Sequence, residues 1–131
     1  MEELPIKVSD DIVRVRQQVR SAALASGLSL VDQTKIITAA SEIARNALVY
    51  GGGGWARIET STSPAGRPGI RITFTDQGPG IPDVNLALTD GWSSGNGLGL
   101  GLSGARRLVD EFDLATEAGV GTSVVVAKWS R

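Results

Sequence analysis

The sequence predicts an α+β domain, a two-layer sandwich with helices on one face of a mixed, largely antiparallel sheet. Three observations carry the prediction. Apolar residues recur at helical spacing before the glycine run Gly51–Gly54. After it they alternate with polar residues, as half-buried strands do. The two kinds of segment also lack the regular βα alternation of a parallel sheet. At 131 residues the chain fits one domain, residues 1–131, with no internal repeat and no linker to divide it.

Leu4–Val8 alternates weakly and reads as an edge strand. Ser9-Asp10-Asp11 supplies a cap and an acidic first turn for a helix bearing Ile12, Val15, Val19 and Ala22. Gly27 stops it. A second helix starts near Val31 or Asp32, places Ile36, Ala40, Ile43 and Ala47 on one face, and ends at Gly51–Gly54. Trp55–Thr60 and Ile70–Thr75 read as a hairpin around the Ser/Pro/Gly-rich connection 61–69. Val84–Leu88 suggests a short helical turn, Thr89–Gly101 a flexible stretch, and Ser103–Phe112 a third helix. Leu114–Glu117 and Ser123–Trp129 close the chain as a second hairpin around Gly119–Gly121.

Composition narrows the chemistry. A net charge of -1 leaves no electrostatic footprint for nucleic acid, and no apolar run is long enough to span a membrane. The acidic start, Met1-Glu2-Glu3-Leu4, is no signal peptide, so the expected location is the cytoplasm. Cysteine and histidine are both absent. Thiol nucleophiles, imidazole bases, common zinc ligands and a phosphohistidine are thereby excluded, leaving carboxylates, hydroxyls and lysine.

Three motifs suggest a ligand. Glu42 and Asn46 are four apart on the second helix and therefore share a face. The Asn carbonyl is a hard oxygen donor suited to Mg²⁺, and the carboxylate is a candidate base; alone, the pair also reads as solvated surface. Asp76-Gln77-Gly78-Pro79-Gly80 follows a strand. Gly78 and Gly80 permit close ligand approach, and Asp76, a pure acceptor, suits the exocyclic amine of adenine better than the carbonyl of guanine. Read alone, this is also a plain turn. Between Gly91 and Gly104 lie six glycines, and Leu98, Leu100 and Leu102 alternate with some of them. With a helix N-terminus at Ser103, such backbone N–H groups suit a polyphosphate.

Gly99-Leu100-Gly101-Leu102-Ser103-Gly104 matches the dinucleotide fingerprint G-x-G-x-x-G, but it lacks the preceding strand and the βαβ context. A P-loop motif and the H-R-D and D-F-G triplets are missing too.

Taken in order, Glu42-x-x-x-Asn46, Asp76-x-Gly78-x-Gly80, Gly97-Leu98-Gly99-Leu100-Gly101-Leu102 and Gly121-Thr122 resemble the four boxes of the Bergerat-fold (GHKL) ATPases. The resemblance covers essentially the whole chain. It implies bound ATP and Mg²⁺, with Glu42 as general base, Asn46 on the metal, Asp76 on the adenine amine and Gly78 beneath the base. Gly80 completes that box. Gly97, Leu98, Gly99, Leu100 and Gly101 would form the lid over the phosphates, and Thr122 would help read adenine.

Size and detail are most similar to the bacterial anti-sigma-factor serine kinases, above all the stressosome switch kinases. Val31-Asp32-Gln33, Ser41–Asn46, Asp76–Asp83, Arg107–Phe112 and Lys128-Trp129 carry that likeness; Trp92 departs from it, standing where Phe is expected. It implies a serine/threonine kinase acting on a small STAS-domain partner, with a PP2C-type phosphatase downstream. Two other functions share the same ATP site. One is an ATP-gated module that sequesters a sigma factor or other regulator with little turnover. The other is a histidine-kinase catalytic domain, which needs a partner to supply the acceptor histidine. Oligomeric state stays open between monomer and homodimer.

Overall fold

A computed structural model describes residues 2–80 and 101–131. Its elements are β1 (Glu2–Ile6), α1 (Ser9–Ala25), α2 (Leu30–Val49), β2 (Gly54–Thr62), β3 (Pro68–Asp76), α3 (Gly101–Leu108), β4 (Glu111–Glu117) and β5 (Gly121–Trp129). The five strands lie in the order β1-β2-β3-β5-β4, and every neighbouring pair is antiparallel. The α+β sandwich is as expected, except that the sheet of the described residues is antiparallel throughout rather than mixed.

Helix α1 starts at Ser9, so Ser9 is inside the helix and not its cap. Val8 holds the cap position in extended conformation. The capping is done by Asp11, whose Oδ2 accepts from the N–H groups of Lys7 (2.8 Å) and Val8 (3.1 Å). These bonds, that of Lys7 first, hold the Asp11 carboxyl below its usual range against the opposing effect of burial. At the other end, Gly27 sits at φ 80°. Its N–H reaches Leu24 O and that of Leu28 reaches Ala23 O, a Schellman stop that also buries Leu28.

Helix α2 begins one or two residues earlier than its apolar period suggests, because Ser29 Oγ accepts from the Asp32 N–H at 3.2 Å and caps it. Ile36, Ala40, Ile43 and Ala47 are buried as the pattern requires, along with Ile37, Ala39 and Ala44. The wider buried stripe follows from position: α2 packs against α1 on one side, α3 on the other, and the sheet beneath.

In β2, buried Gly54, Ala56 and Ile58 alternate with exposed Trp55 and Arg57, which marks the face turned to the helices. Val15, Val19, Ile36, Ile43, Ile70, Ile72, Phe74, Leu102 and Val126 form the core between the layers.

The third helix differs from expectation. It spans Gly101–Leu108, starting before Ser103, and Phe112 belongs to β4, where it faces Val126. Packing against the sheet overrides the helical spacing of Leu108, Val109 and Phe112. The turn suggested at Val84–Leu88 and most of the flexible stretch lie outside the described residues. No helix among the described residues is long and apolar enough to cross a membrane.

A buried ion cluster ties α2 to the last strand. Lys128, 3% exposed, lies 3.7 Å from Asp32 on α2 and 3.5 Å from Asp110. Arg131 reaches the same two carboxylates at 3.6 and 2.8 Å. Burial pushes the Asp110 carboxyl up, but the Trp129 N–H (2.8 Å), Lys128 and Arg131 together outweigh it and hold it below its usual value.

Candidate functional site

The candidate site lies where the C-terminal end of α2 meets the ends of β3 and β5. Asn46 sits on the last turn of α2 and Glu42 one turn earlier, both half-buried. The Oδ1 oxygen of Asn46 is cut off from solvent yet has no hydrogen-bond partner among the described residues. Such an orphaned acceptor costs ~1–3 kcal/mol unless something else binds it. Glu42 likewise has no ion pair or hydrogen bond to another described side chain.

Asp76 is the last residue of β3. Its Oδ1 accepts from the Gly78 N–H at 2.9 Å, which fixes the carboxylate and leaves Oδ2 as the oxygen for a ligand. Three glycines allow the chain to close around it. A Cβ on Gly51 would lie 2.4 Å from Asp76 Cγ, one on Gly78 would lie 2.6 Å from Gly51 Cα, and one on Gly121 would meet Asp76 O at 2.1 Å. The turn Asp76–Gly80 is therefore pressed between the end of α2 and the β4–β5 hairpin. The Gly119 N–H to Pro79 O bond (3.0 Å) closes its outer side.

Thr122 stands directly opposite Asp76 on β5, so both side chains face the helix layer. Gly80, at φ 84°, passes close to Thr116 on β4.

Of the residues singled out in the sequence, the fold brings together Asn46, Asp76, Gly78, Gly80 and Thr122, with Glu42 one helical turn away. Gly101 is the first residue of α3, which packs against α2. Gly97, Leu98, Gly99 and Leu100 lie outside the described residues. Ser103, expected to open the helix, is a buried residue inside it.

Gly51 and Thr116 escaped the sequence reading. Four consecutive glycines are more than a helix stop needs, and that excess was the available signal for Gly51. Thr116 left none, because its place beside Gly80 depends on strand register.

The donor set fits Mg²⁺ delivered with a nucleotide. Asn46 Oδ1 is a hard oxygen lacking a partner among the described residues, and Mg²⁺ takes its other oxygens from phosphates and water. Among the described residues no group of three acidic side chains could hold a metal unaided. An open cleft of about 470 Å³, lined by Lys7, Gly51–Gly54, Trp55 and Gln77, adjoins the same turn. It shares Gly51 with the site, but Glu42, Asn46, Asp76 and Thr122 do not line it.

Comparison with known proteins identifies the family. Residues 31–130 match the family described as histidine kinase-, DNA gyrase B-, and HSP90-like ATPase. The chain is 47% identical over 121 residues to serine/threonine-protein kinase RsbT of Bacillus subtilis (strain 168), covering 92% of this chain and 90% of that one.

Among solved structures, the RsbU and RsbW domains of Rv1364c from Mycobacterium tuberculosis superpose with a TM-score of 0.65 at 21% identity. That match covers all of this chain and 33% of the other. The mycobacterial sensor histidine kinase MprB gives 0.54 at 22% identity, covering 99% and 97%. Both show the shared fold. The chain belongs to the histidine kinase-, DNA gyrase B- and HSP90-like ATPases and, within them, to the serine/threonine-protein kinases of the RsbT kind.

Proposed function

We propose that the chain transfers phosphate from ATP to a serine or threonine of a small STAS-domain partner. This step would belong to a cytoplasmic stress-response pathway that works by partner switching and releases the kinase to act on a PP2C-type phosphatase. The observation that carries the reading is the solvent-shielded Oδ1 of Asn46, which has no hydrogen-bond partner among the described residues, one turn from a Glu42 that engages no other described side chain.

Bound ATP with Mg²⁺ supplies the phosphoryl group. Asn46 Oδ1 would hold the metal, and Asp76 Oδ2 would accept from the adenine amine while Gly78 fixes the other oxygen. Thr122 would lie beside the base, and Gly97, Leu98, Gly99, Leu100 and Gly101 would supply backbone donors to the phosphates. Glu42 would take the proton of the incoming hydroxyl, because the chain has no histidine to do so. The same absence means that an imidazole acceptor could only come from another protein.

The test is incubation with γ-labelled ATP and a STAS-domain protein. Acid-stable label on Ser or Thr, lost in Glu42→Gln while ATP still binds, is the expected result. Intact ATP binding with no transfer to any hydroxyl would leave an ATP-gated sequestering module. An acid-labile phosphate would point to histidine transfer.

A further inference from the structure

The open cleft beside the Asp76–Gly80 turn has no part in the proposed chemistry. Its floor is the glycine run 51–54, and its walls are Lys7, Trp55 and Gln77. The floor is bare backbone, which lets a protruding side chain come close. The lining carries one cation and no carboxylate. Lys7 is exposed and makes no ion pair with another described residue. Exposed apolar side chains gather at the same place. Val8, Val49, Tyr50 and Trp55 each line the cleft or lie within two residues of its lining along the chain. They are four of the nine large apolar side chains that the described residues expose, a concentration that marks an interaction site rather than scattered surface.

Small-molecule sites bury about 70–90% of their ligand's surface, which an open cleft does not do. An indole beside a lone cation within an apolar rim is the make-up of a protein interface, where aromatic anchors supply affinity and charges select the partner. We infer that this cleft docks the protein substrate, seating an exposed Asp or Glu carboxylate of that partner against Lys7 while neighbouring apolar side chains pack on Trp55. The place suits the task. Gln77 directly follows Asp76, and Gly51 is shared with the nucleotide turn, so a partner held there sits next to the proposed ATP site. The inference rests on the kinase reading for the identity of the partner.

The experiment measures binding of the STAS-domain protein of the transfer assay to the full chain by calorimetry, with Mg²⁺ and a non-hydrolysable ATP analogue so that no transfer is needed. The variants are Lys7→Glu, Trp55→Ala and a control, Lys35→Glu, which makes the same charge change near the other end of α2. An exposed ion pair contributes up to about fivefold in affinity, and reversing the charge adds repulsion. Lys7→Glu should therefore weaken partner binding about tenfold, and less at high salt. Trp55→Ala should weaken it by about tenfold or more, as loss of an aromatic anchor does. Analogue affinity should stay native in both, and Lys35→Glu should bind the partner as the native chain does. One Asp→Lys or Glu→Lys variant of the partner should restore binding to Lys7→Glu, which a merely structural role of Lys7 would not allow. No partner binding by the native chain, native affinity in Lys7→Glu, an equal loss in Lys35→Glu, or no restoring variant overturns the inference. So does a loss of analogue binding, which gives Lys7 to the phosphates, or weakened self-association alone, which gives the cleft to a second copy. Partner binding that depends on Lys7, without transfer to any hydroxyl, upholds the docking site and overturns the kinase reading instead.

Discussion

Gly51→Ala is the sharpest test of the site, because its effect follows from space alone. Gly51 does not adopt the left-handed conformation that only glycine tolerates well, so alanine is acceptable to the backbone there. Space is what is lacking. The new methyl would lie 2.4 Å from Asp76 Cγ, 2.5 Å from Asp76 Cβ and 2.7 Å from Ala47 O. Ordinary carbon contacts are about 3.5–4.0 Å, so something must move by about 1 Å. Ala47 O is helix backbone, so Asp76 is the part that yields. A shifted Asp76 loses its bond from the Gly78 N–H and, with it, the proposed aim at the adenine amine.

A hydrogen bond to a charged group contributes about 1.5–3 kcal/mol, so ATP affinity should fall roughly ten- to a hundredfold. The neighbouring Gly52 is the control. It sits at φ 70° and an added methyl would meet nothing within 4 Å, so Gly52→Ala strains the backbone by about 1 kcal/mol and leaves Asp76 in place. Calorimetric ATP titration and thermal melts of both variants separate the two effects. Native ATP affinity in Gly51→Ala, or equal affinity losses in the two variants, would refute the argument.

Asn46→Ala should leave the nucleotide-free chain as stable as the native one or slightly more stable, because it removes an orphaned acceptor, while Mg²⁺-dependent ATP stabilisation disappears. Thermal melts with and without MgATP check both halves. Lys128→Met removes the buried cation between Asp32 and Asp110 and should cost about 3 kcal/mol, measured by urea unfolding. Asp11 and Asp110 have carboxyls held below their ordinary range in the folded state, so their stabilisation is complete above the unfolded value of about 4. It is lost as pH falls through the lower folded values. Urea midpoints should therefore hold from pH 7 to pH 5 and drop below about pH 4, and Asp11→Asn with Asp110→Asn should flatten that drop.

Much of the site was legible because its groups are set by local chemistry. Asp76 ends an alternating run and opens a Gly-Pro-Gly turn, and Glu42 and Asn46 share a helix face by spacing alone. Gly51 could be read locally only as a helix stop. Its closeness to Asp76 exists because β2 pairs with β3, which places Gly54 opposite Asp76 and folds the glycine run back under the carboxylate. Thr116 was hidden for the same reason, since its partner Thr122 is set by the β4–β5 register. Phe112 was misplaced because its spacing from Leu108 and Val109 fits a helix. Its strand pairing with Val126 is a non-local contact that spacing does not encode.

Helix α2 is anchored at both ends. Near its start, Asp32 is held by Lys128 and Arg131; just past its end, Gly51 is wedged against Asp76. A rod fixed in this way cannot slide along its axis or turn about it without breaking one anchor. Asn46 lies 14 residues beyond Asp32, about 20 Å along such a helix. The location of its side-chain oxygen, the proposed metal ligand, is therefore gauged from two datum points, one of them a salt bridge on the far side of the domain.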